Sequence, residues 1–383
     1  MDVAIIKALR TPIGKFCGGL AKKTSWELGS EVVKNILNDT GVSPKEISEV
    51  IMGQVLLSGA GQNPARRAAL SAGIPESVPA FILNQVCGSG LRAAAITILE
   101  DPTKIIIAGG QESMTNAPFA VNIRAARKMG NIDMQDLMLT DGLMDDFLGV
   151  HMGITAEGLA KKYSITRNMQ DNFALESQQK ASKAQKLSHF KNEIIPMQID
   201  GNILSEDEFI RHDMDLEKLS KLRPAFIKDG GTVTAGNSSG INDGAAAVLL
   251  MSLKEAQRRK LEPMAIIRSF EQSGIEPGLM GIAPVEACRK ALKKASWSVS
   301  DLGLIEASEA FAVQLICVNN EMGWDASKVN VNGGAIALGH PIGASGARIL
   351  TTLLHEMHRR DVKKSIATLC IGGGMGIAMC LER

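Results

Sequence analysis

The sequence is poor in the features that mark several large protein classes. Aromatic residues make up only 4% of the chain, which argues against the stacking surfaces that bind single-stranded nucleic acid. No uninterrupted apolar run approaches the roughly 18 residues that a membrane-spanning helix needs. The N-terminus also lacks the basic start and small-residue cleavage site of a secretory signal. From these absences we expect a soluble protein of the cytoplasm.

Paired cysteines and an excess of one charge are missing as well. The six cysteines, at positions 17, 87, 288, 317, 370 and 380, show no C-x-x-C spacing and no zinc-type cluster with histidine. The chain has 42 Lys and Arg against 41 Asp and Glu, a net charge of +1. We therefore expect no metal, no nucleic acid and no membrane as a partner, but a small-molecule substrate.

What the sequence does contain is a long alternation of short β-rich runs with stretches of helical period. Its 383 residues suggest two or three packed units of an α/β protein. Strands are predicted at 3–9, 49–56, 80–84, 104–108, 264–270, 302–307, 329–332, 365–370 and 376–381. The two ends of the chain repeat this order, which predicts a duplication with a composite site between the copies. The Met-rich, charged stretch 116–240 predicts an insertion that covers a ligand.

The stretch FILNQVCGSGLRAAA places Cys87 between a strand and a helix. A lone cysteine is commonly a buried structural residue. The alternative is a nucleophile, because free amides at a helix start stabilise a thiolate. The same stretch matches the G-x-G-x-x-A dinucleotide pattern, but it follows the third strand rather than the first, which argues against a nicotinamide or flavin site.

A second pattern, G-x-S-x-G at 236–240, matches the nucleophile elbow of α/β-hydrolases. That elbow requires an amphipathic helix after the serine. Here a Gly/Ala loop and an apolar strand follow, so we expect no serine nucleophile.

Two further reactive side chains stand in glycine-rich loops. His340 lies in NGGAIALGHPIGASGARIL, and Cys370 precedes three glycines in LCIGGGMGIAM. Cys87, His340 and Cys370 each lie at the C-terminal end of a predicted strand. Three such groups form a candidate catalytic constellation. One thiolate can carry an acyl group, the imidazole can activate it, and the second thiol can remove a proton next to a carbonyl.

These motifs resemble, in this order and over the whole length, those of the thiolase family, especially its short-chain biosynthetic branch. The matching stretches are NQVCGSGLRA, GGQESM, HMGITAE, LRPAF, GGTVTAGNSSGINDGAA, EAFAVQ, NVNGGAIALGHPIGASGAR and CIGGGMG. The resemblance implies an α/β thiolase fold, with two similar βαβαβαββ halves in αβαβα layers and an inserted loop domain. It assigns 1–116 with 241–262 to the N-terminal half, 117–240 to the loop domain over the coenzyme A site, and 263–383 to the C-terminal half.

The activity so implied is acetyl-CoA C-acetyltransfer: Claisen condensation of two acetyl-CoA to acetoacetyl-CoA and CoA, and the reverse thiolysis. By resemblance, Cys87 takes the acetyl group with help from His340, and Cys370 deprotonates the second acetyl-CoA. The backbone amides of Cys87 and Gly372 form one oxyanion hole, and His340 with a water forms the other. The family usually has Asn before EAF to hold that water, whereas this chain has Ser308.

The resemblance also implies the binding site for coenzyme A. The pantetheine contacts carried over are Leu143, His151, Met152, Phe226, Ala235, Ser239, Ala310 and Phe311, with Arg211 at the nucleotide end and Met280 at the acyl pocket. Coenzyme A and acetyl-CoA are then substrates, and no cofactor is bound permanently. Family members are dimers or tetramers, and we expect a homotetramer whose oligomerisation loop lies within 119–138.

Three alternatives remain beside this interpretation. A degradative 3-ketoacyl-CoA thiolase would accept a broader range of chain lengths. A ketoacyl synthase shares the fold, but it typically uses paired histidines where this chain has Cys370. A coenzyme A-binding protein with impaired chemistry is favoured only by Ser308.

Overall fold

A computed structural model describes residues 2–96, 103–124 and 128–383. The strands are β1 (Val3–Arg10), β2 (Gly14–Lys15), β3 (Glu49–Gly53), β4 (Ala80–Leu83), β5 (Ile106–Ser113), β6 (Phe119–Ala120), β7 (Gln135–Asp136), β8 (Met144–Asp145), β9 (Val150–His151), β10 (Met197–Ile199), β11 (Asn202–Leu204), β12 (Asn242–Ser252), β13 (Ala265–Gly274), β14 (Leu304–Ala307), β15 (Lys364–Ile371) and β16 (Met375–Glu382). The helices are α1 (Ser25–Thr40), α2 (Pro64–Ser71), α3 (Ser89–Ile96), α4 (Met152–Lys162), α5 (Arg167–Lys186), α6 (Leu216–Ser220), α7 (Leu253–Arg259), α8 (Ala283–Ala295), α9 (Ala312–Met322), α10 (Ala335–Leu338) and α11 (Ser345–Arg360).

Local sequence explains why the principal elements form. All 11 residues of β12 are buried, as expected for a continuous Ala/Val/Leu run covered on both faces of a sheet. Helix α1 begins at a capping box, in which Thr24 accepts from the amide of Glu27 and the Glu27 carboxylate accepts from the Thr24 amide at 2.8 Å. It ends at Gly41, whose φ of 66° is readily adopted only by glycine.

The large sheet consists of two halves with the same pairing scheme. Its order is β14-β15-β16-β13-β1-β12-β5-β3-β4, with β2 attached to β12. Running outward from the β1–β13 junction, each half has two antiparallel pairs followed by parallel pairing, with two parallel pairs in the N-terminal half and one in the C-terminal half. Cys87 lies in the turn that follows the parallel strand β4, and Cys370 lies near the end of the parallel strand β15. This arrangement accounts for the repeated order of strands seen in the sequence.

The helices and the two halves of the sheet together form five layers. Helices α3 and α11 pack against strands of both halves in one apolar cluster, which includes Leu91, Leu353 and Met379. Helices α1 and α2 cover the outer face of the N-terminal half, and α8 covers that of the C-terminal half. The result is the predicted αβαβα order, with Cys87 and His340 next to the two central helices.

One predicted strand is wrong. The run 329–332 makes only an isolated parallel bridge, between Val329 and Ile305, where the first half has β4. The side chain of Asn330 explains the difference, because it accepts from the Ala307 amide and donates to the Ala307 carbonyl, both at 2.8 Å. A side-chain amide thus replaces a rung of the ladder. The other predicted strands are present, with ends moved by a few residues.

The segment 117–240 adds no strand to the large sheet in its described residues. It contains the two-residue hairpins β6–β7 and β8–β9, the hairpin β10–β11 and helices α4, α5 and α6. Helix α4 contacts α9 and the turn Pro277–Ile282 of the C-terminal half. The segment therefore lies over the carboxyl ends of the central strands, where the reactive side chains are.

Candidate active site

A strained turn presents Cys87 at the start of α3. The amide of Gly88 donates to the Gln85 carbonyl at 3.0 Å, and Val86 inside this turn has a φ of 48°. A positive φ is unfavourable for a β-branched residue, so surrounding contacts must hold it. The Ser89 hydroxyl supplies two of them, donating to the Val86 carbonyl at 2.6 Å and accepting from the Gln85 amide at 2.9 Å.

His340 is positioned by a polar side chain of β12. The Oδ1 atom of Asn242 accepts from the His340 amide at 2.9 Å. Gly339, just before the histidine, has a φ of 106°, and a Cβ there would lie 2.5 Å from the Cγ atom of Asn242. Only glycine satisfies both conditions, which explains the Gly-His order of the motif.

The imidazole of His340 joins Cys87 to Ser345. Its Nε2 lies 3.3 Å from the Cys87 sulfur, and its Nδ1 lies 2.7 Å from the Ser345 hydroxyl. That hydroxyl donates its proton to the Pro341 carbonyl at 2.9 Å, so it accepts from Nδ1–H. The hydrogen-bond network thereby assigns the tautomer with a free lone pair on Nε2, which can take the thiol proton.

Cys370 lies at the end of β15, directly before the glycine turn that leads into β16. Its side chain is buried and belongs to the same region as Cys87, whose charge raises the pKa of Cys370. The backbone amides of Gly372 and of Cys87 itself lower the pKa of the Cys87 thiol, against the larger effect of burial. Both amides therefore lie where they can reach the charge that would develop if this sulfur attacked a thioester carbonyl.

Burial keeps all three groups in their neutral forms. It raises the pKa of Cys87 to about 12, although the Gly372 amide acts in the opposite direction. Burial, followed by the positive charge of Arg348, lowers the pKa of His340 to about 4. Burial is also the main cause of the raised pKa of Cys370. These shifts favour a neutral thiol beside a neutral imidazole.

These groups face a cavity of about 230 Å³. It is lined by Cys87, His340, Cys370 and Gly372 and by nine of the ten residues expected at the coenzyme A site: Leu143, His151, Met152, Phe226, Ala235, Ser239, Met280, Ala310 and Phe311. Aromatic rings form one wall, since His151 stacks on Phe226 with 4.6 Å between ring centroids, and Phe226 meets Phe311 edge-on. A narrow apolar channel of this kind suits a flexible pantetheine arm.

Two residues expected at the site do not line the cavity. Arg211 is half-buried and lies over the Phe209 ring, 5.2 Å from its centroid, and Phe209 in turn lies against Gly240 of the cavity wall. Ser308 is buried, and its hydroxyl has no hydrogen-bond partner among the described residues. Arg211 is thus outside the cavity beside its wall, whereas Ser308 lies behind it with an unused hydroxyl.

Other wall residues were not expected from the sequence. They are Val86, Met114, Gly142, Ala225, Thr234, Ser238, Gly240, Ile241 and Ile342. Val86, Ala225 and Ser238 lie within the quoted motifs, each next to an expected site residue, so reading one position to either side of those residues would have found them. Met114 ends the GGQESM motif but has no expected site residue beside it, and its place depends on β5 lying next to β12.

No group of three or more His, Cys, Asp or Glu side chains within the described ranges could hold a metal ion. The same part of the chain has no helix that is long and apolar enough to cross a membrane.

Comparison with known proteins gives the same assignment over the whole length. Residues 3–254 match the family model of the thiolase N-terminal domain, and residues 261–383 match that of the thiolase C-terminal domain. The chain belongs to the thiolase family. Among curated thiolases, it is 57% identical to the acetyl-CoA acetyltransferase of Chromobacterium violaceum, with 100% of both chains covered. It is 55% identical to the acetyl-CoA acetyltransferase of Paracoccus denitrificans, over 99% of this chain and 98% of that one.

A solved thiolase structure agrees with the fold. The crystal structure of the Bacillus anthracis acetyl-CoA acetyltransferase superposes with a TM-score of 0.97 at 41% sequence identity. The match covers 100% of this chain and 98% of that one. The fold of two layered halves with an inserted segment is therefore that of a thiolase.

Proposed function

We propose that this thiolase is an acetyl-CoA C-acetyltransferase, which condenses two acetyl-CoA to acetoacetyl-CoA and CoA and catalyses the reverse thiolysis. One observation carries the proposal: the Cys87 sulfur lies 3.3 Å from His340 Nε2 in a cavity that Cys370 also lines. The names of the full-length relatives support the acetyl specificity.

In the first step, Nε2 of His340 takes the proton of Cys87 as the sulfur attacks the acetyl-CoA carbonyl. The amides of Cys87 and Gly372 stabilise the developing oxyanion. The carbon–sulfur bond to CoA then breaks, and Cys370 gives its proton to the leaving CoA thiolate, which leaves Cys370 as a thiolate and His340 protonated. Acetyl-Cys87 and free CoA result, so that one difficult transfer is divided into two easier steps.

In the second step, the Cys370 thiolate removes a proton from the methyl group of a second acetyl-CoA and becomes a thiol again. The resulting enolate attacks the acetyl carbonyl on Cys87, and the Cys87 thiolate leaves as the new carbon–carbon bond forms. Cys87 then takes its proton back from His340, which restores the starting enzyme. His340 with a water is proposed to stabilise the enolate oxygen. Ser308, whose buried hydroxyl has no hydrogen-bond partner in the part of the chain that the structure describes, is proposed to hold that water.

The cavity wall is proposed as the pantetheine channel, with Arg211 near the nucleotide. A half-buried guanidinium suits a phosphate, and no carboxylate of the described residues forms an ion pair with it. Coenzyme A and acetyl-CoA are then substrates, with no permanently bound cofactor. A reducing cytoplasm suits this chemistry, because both catalytic thiols must stay reduced. A homotetramer completes the proposal, and a dimer is the alternative.

The test is the loss of acetoacetyl-CoA in the presence of free CoA. The wild type is expected to turn over, and Cys87→Ala to lose activity by more than about a thousandfold, since no other thiol can replace the nucleophile. Cys17→Ala is the matched control, because Cys17 is exposed and does not line the cavity. Faster turnover of longer 3-ketoacyl-CoA would favour the degradative alternative, and CoA binding without any turnover would favour an impaired enzyme.

Ser308 is tested by substitution to the residue usual in the family. Ser308→Asn is expected to preserve or raise the condensation rate, because the amide offers a donor and an acceptor where serine has one hydroxyl. Loss of a whole donor from such a hole costs ~2 to 4 kcal/mol in the transition state. A large fall in turnover of Ser308→Asn would show that this site is built around serine.

A further inference from the structure

Glu112, near the end of β5, is a fully buried carboxylate that no step of the proposed chemistry uses. Its Oε2 atom accepts from the amides of Gly343 at 2.8 Å and Val55 at 3.0 Å, and its Oε1 accepts from the amide of Leu56 at 3.2 Å. Within the described residues no Lys or Arg forms an ion pair with it. A buried carboxylate that binds only backbone amides joins chain segments rather than balancing a charge.

One of the joined segments holds the catalytic histidine. Gly343 lies between His340 and Ser345, whose hydroxyl bonds the imidazole. The Asn242 side chain fixes the His340 amide, and Glu112 fixes the Gly343 amide, so this segment is held at two separate points. Removal of the second point leaves the imidazole attached at its amide but free to tilt.

The other segment leads to the nucleophile. The amide of Gln54, next to Val55, donates to the Leu83 carbonyl at 3.1 Å, at the last residue of β4 before the Cys87 turn. The side chains of Val55 and Leu56 pack in one apolar cluster that Cys87 also contacts. Glu112 thereby joins the segment behind Cys87 to the segment that carries His340.

The backbone segments that Glu112 joins are packed too closely to admit an added side chain. A Cβ on Gly343 would lie 2.7 Å from Gln54 Cα and 2.8 Å from Glu112 Oε2. A Cβ on Gly110, on the same strand as Glu112, would lie 2.7 Å from Ala344 Cα. Small changes at the carboxylate are therefore transmitted to the neighbouring backbone.

We propose that Glu112 is a positioning residue, which acts through the amides of Gly343, Val55 and Leu56 to hold His340 at hydrogen-bonding distance from Cys87. This proposal rests on the proposed function only in that the thiol–imidazole pair is the one that reacts. Burial raises the pKa of Glu112 to about 7, in keeping with a carboxylate held by neutral donors alone.

The test compares Glu112→Gln with Glu208→Gln. Glu208 also accepts backbone amides, from Lys15 and Gly19, but none of these three residues lines the cavity. In Glu112→Gln one oxygen acceptor becomes a donor, so at least one amide loses its partner. We expect kcat for thiolysis of acetoacetyl-CoA to fall about ten- to a hundredfold. The KM is expected to stay within about twofold, because no substrate contact is removed.

The control Glu208→Gln should keep the wild-type kcat and KM. Turnover of Glu112→Gln within about twofold of the wild type, or a fall in kcat matched by an equal rise in KM, overturns the proposal. If Glu112→Gln does not fold, as judged by circular dichroism, the same comparison in Glu112→Asp decides, because the shorter side chain cannot reach both segments.

Alkylation of Cys87 by iodoacetamide separates this proposal from the proposed function, since it needs no acyl-CoA. Loss of a negative charge alone would lower the pKa of Cys87 and speed alkylation, because the charge of Glu112 raises it. Lost positioning of His340 should instead slow alkylation in Glu112→Gln, and faster alkylation would overturn the proposal. A wild type that does not thiolyse acetoacetyl-CoA would reject the proposed function alone.

Discussion

At the scale of single residues, the site consists of uncharged groups held close together. The Cys87 sulfur lies 3.3 Å from Nε2 of His340, and burial disfavours the charged form of each side chain. A thiolate–imidazolium pair in such a place would need strong compensation. The two amides near the Cys87 sulfur compensate for a thiolate only in part, because burial outweighs them. In the proposed mechanism, the same amides stabilise the negative charge that moves onto the substrate oxygen in the transition state.

The lowered pKa of His340 leads to a prediction for acidic solution. An imidazole acts as a base only when neutral, and His340 stays neutral down to about pH 4. We expect single-turnover acetylation of Cys87 at pH 5.5 to keep most of its rate at pH 7.5. An ordinary histidine, with a pKa near 6.5, would lose about tenfold over the same range. Such a loss, centred near pH 6.5, would contradict the account.

The lowered pKa of His340 also determines how the stability of the protein changes with pH. Between about pH 4 and pH 6.5 the unfolded His340 binds a proton that the folded one does not. Protonation of His340 in the unfolded chain therefore lowers the free energy of unfolding as the pH falls through this window. Above the window, His340 causes no such loss of stability.

Sequence motifs predicted the side chains that the structure brings together at the cavity, but not the residues that hold them in place. Cys87, His340 and Cys370 each lie in a glycine-rich stretch that marks close backbone approach. Asn242 and Glu112 are 98 and 231 positions away from the amides they bind at His340 and Gly343. Such contacts depend on which strands become neighbours, which no local pattern specifies.

At the scale of elements, the spacing of Cys87 and His340 depends on how closely α3 approaches α11. A Cβ on Gly90 of α3 would lie 2.7 Å from the Ala347 amide nitrogen and 3.1 Å from the Gly343 carbonyl oxygen. Both are backbone atoms that cannot rotate away. The two helices that follow the catalytic loops therefore pack with almost no side chain between them.

Substitution of that glycine should separate the helices. Gly90→Ala is expected to lower the free energy of unfolding by about 1–3 kcal/mol through overpacking, and to lower kcat as well. The matched control is Gly158→Ala on the exposed face of α4, where a new Cβ meets nothing within 4 Å. It should raise stability by about 0.5–1 kcal/mol with activity unchanged. Denaturant unfolding and thiolysis assays check both, and a fully active Gly90→Ala would contradict the close-packing argument.

Elements were easiest to predict where hydrophobic pattern decides them. The apolar run of β12 and the alternation of strands and helices gave the fold class, because burial follows directly from such patterns. The run 329–332 has the same local pattern as a strand. The Asn330 side chain prevents this run from forming a strand, because it bonds the backbone N–H and C=O of Ala307 that a neighbouring strand would otherwise use.

At the scale of the whole molecule, the described surface includes an apolar region in the segment 119–134, on either side of the undescribed residues 125–127. Phe119, Ile123, Met129 and Met134 are 60%, 61%, 90% and 63% exposed. Several large apolar side chains exposed in one segment are unusual for a monomer and favour an interface. They lie in the part of the chain proposed as the oligomerisation loop.

We therefore expect Ile123→Ser combined with Met134→Ser to reduce the assembly from a tetramer to a dimer. Light scattering after gel filtration measures the mass directly. Ile203→Ser is the control, since Ile203 is 64% exposed but lies on the separate β10–β11 hairpin. An unchanged mass in the double variant, or a monomeric wild type, would contradict the proposed loop.

The whole account depends on an acetyl group carried by Cys87. The most direct measurement is peptide mapping by mass spectrometry after brief exposure of the enzyme to acetyl-CoA alone, with acid quenching. The account predicts one acetylated cysteine, in the peptide containing Cys87, and release of the label when CoA is added. Acetylation at another residue, or none in an enzyme that turns over, would contradict it.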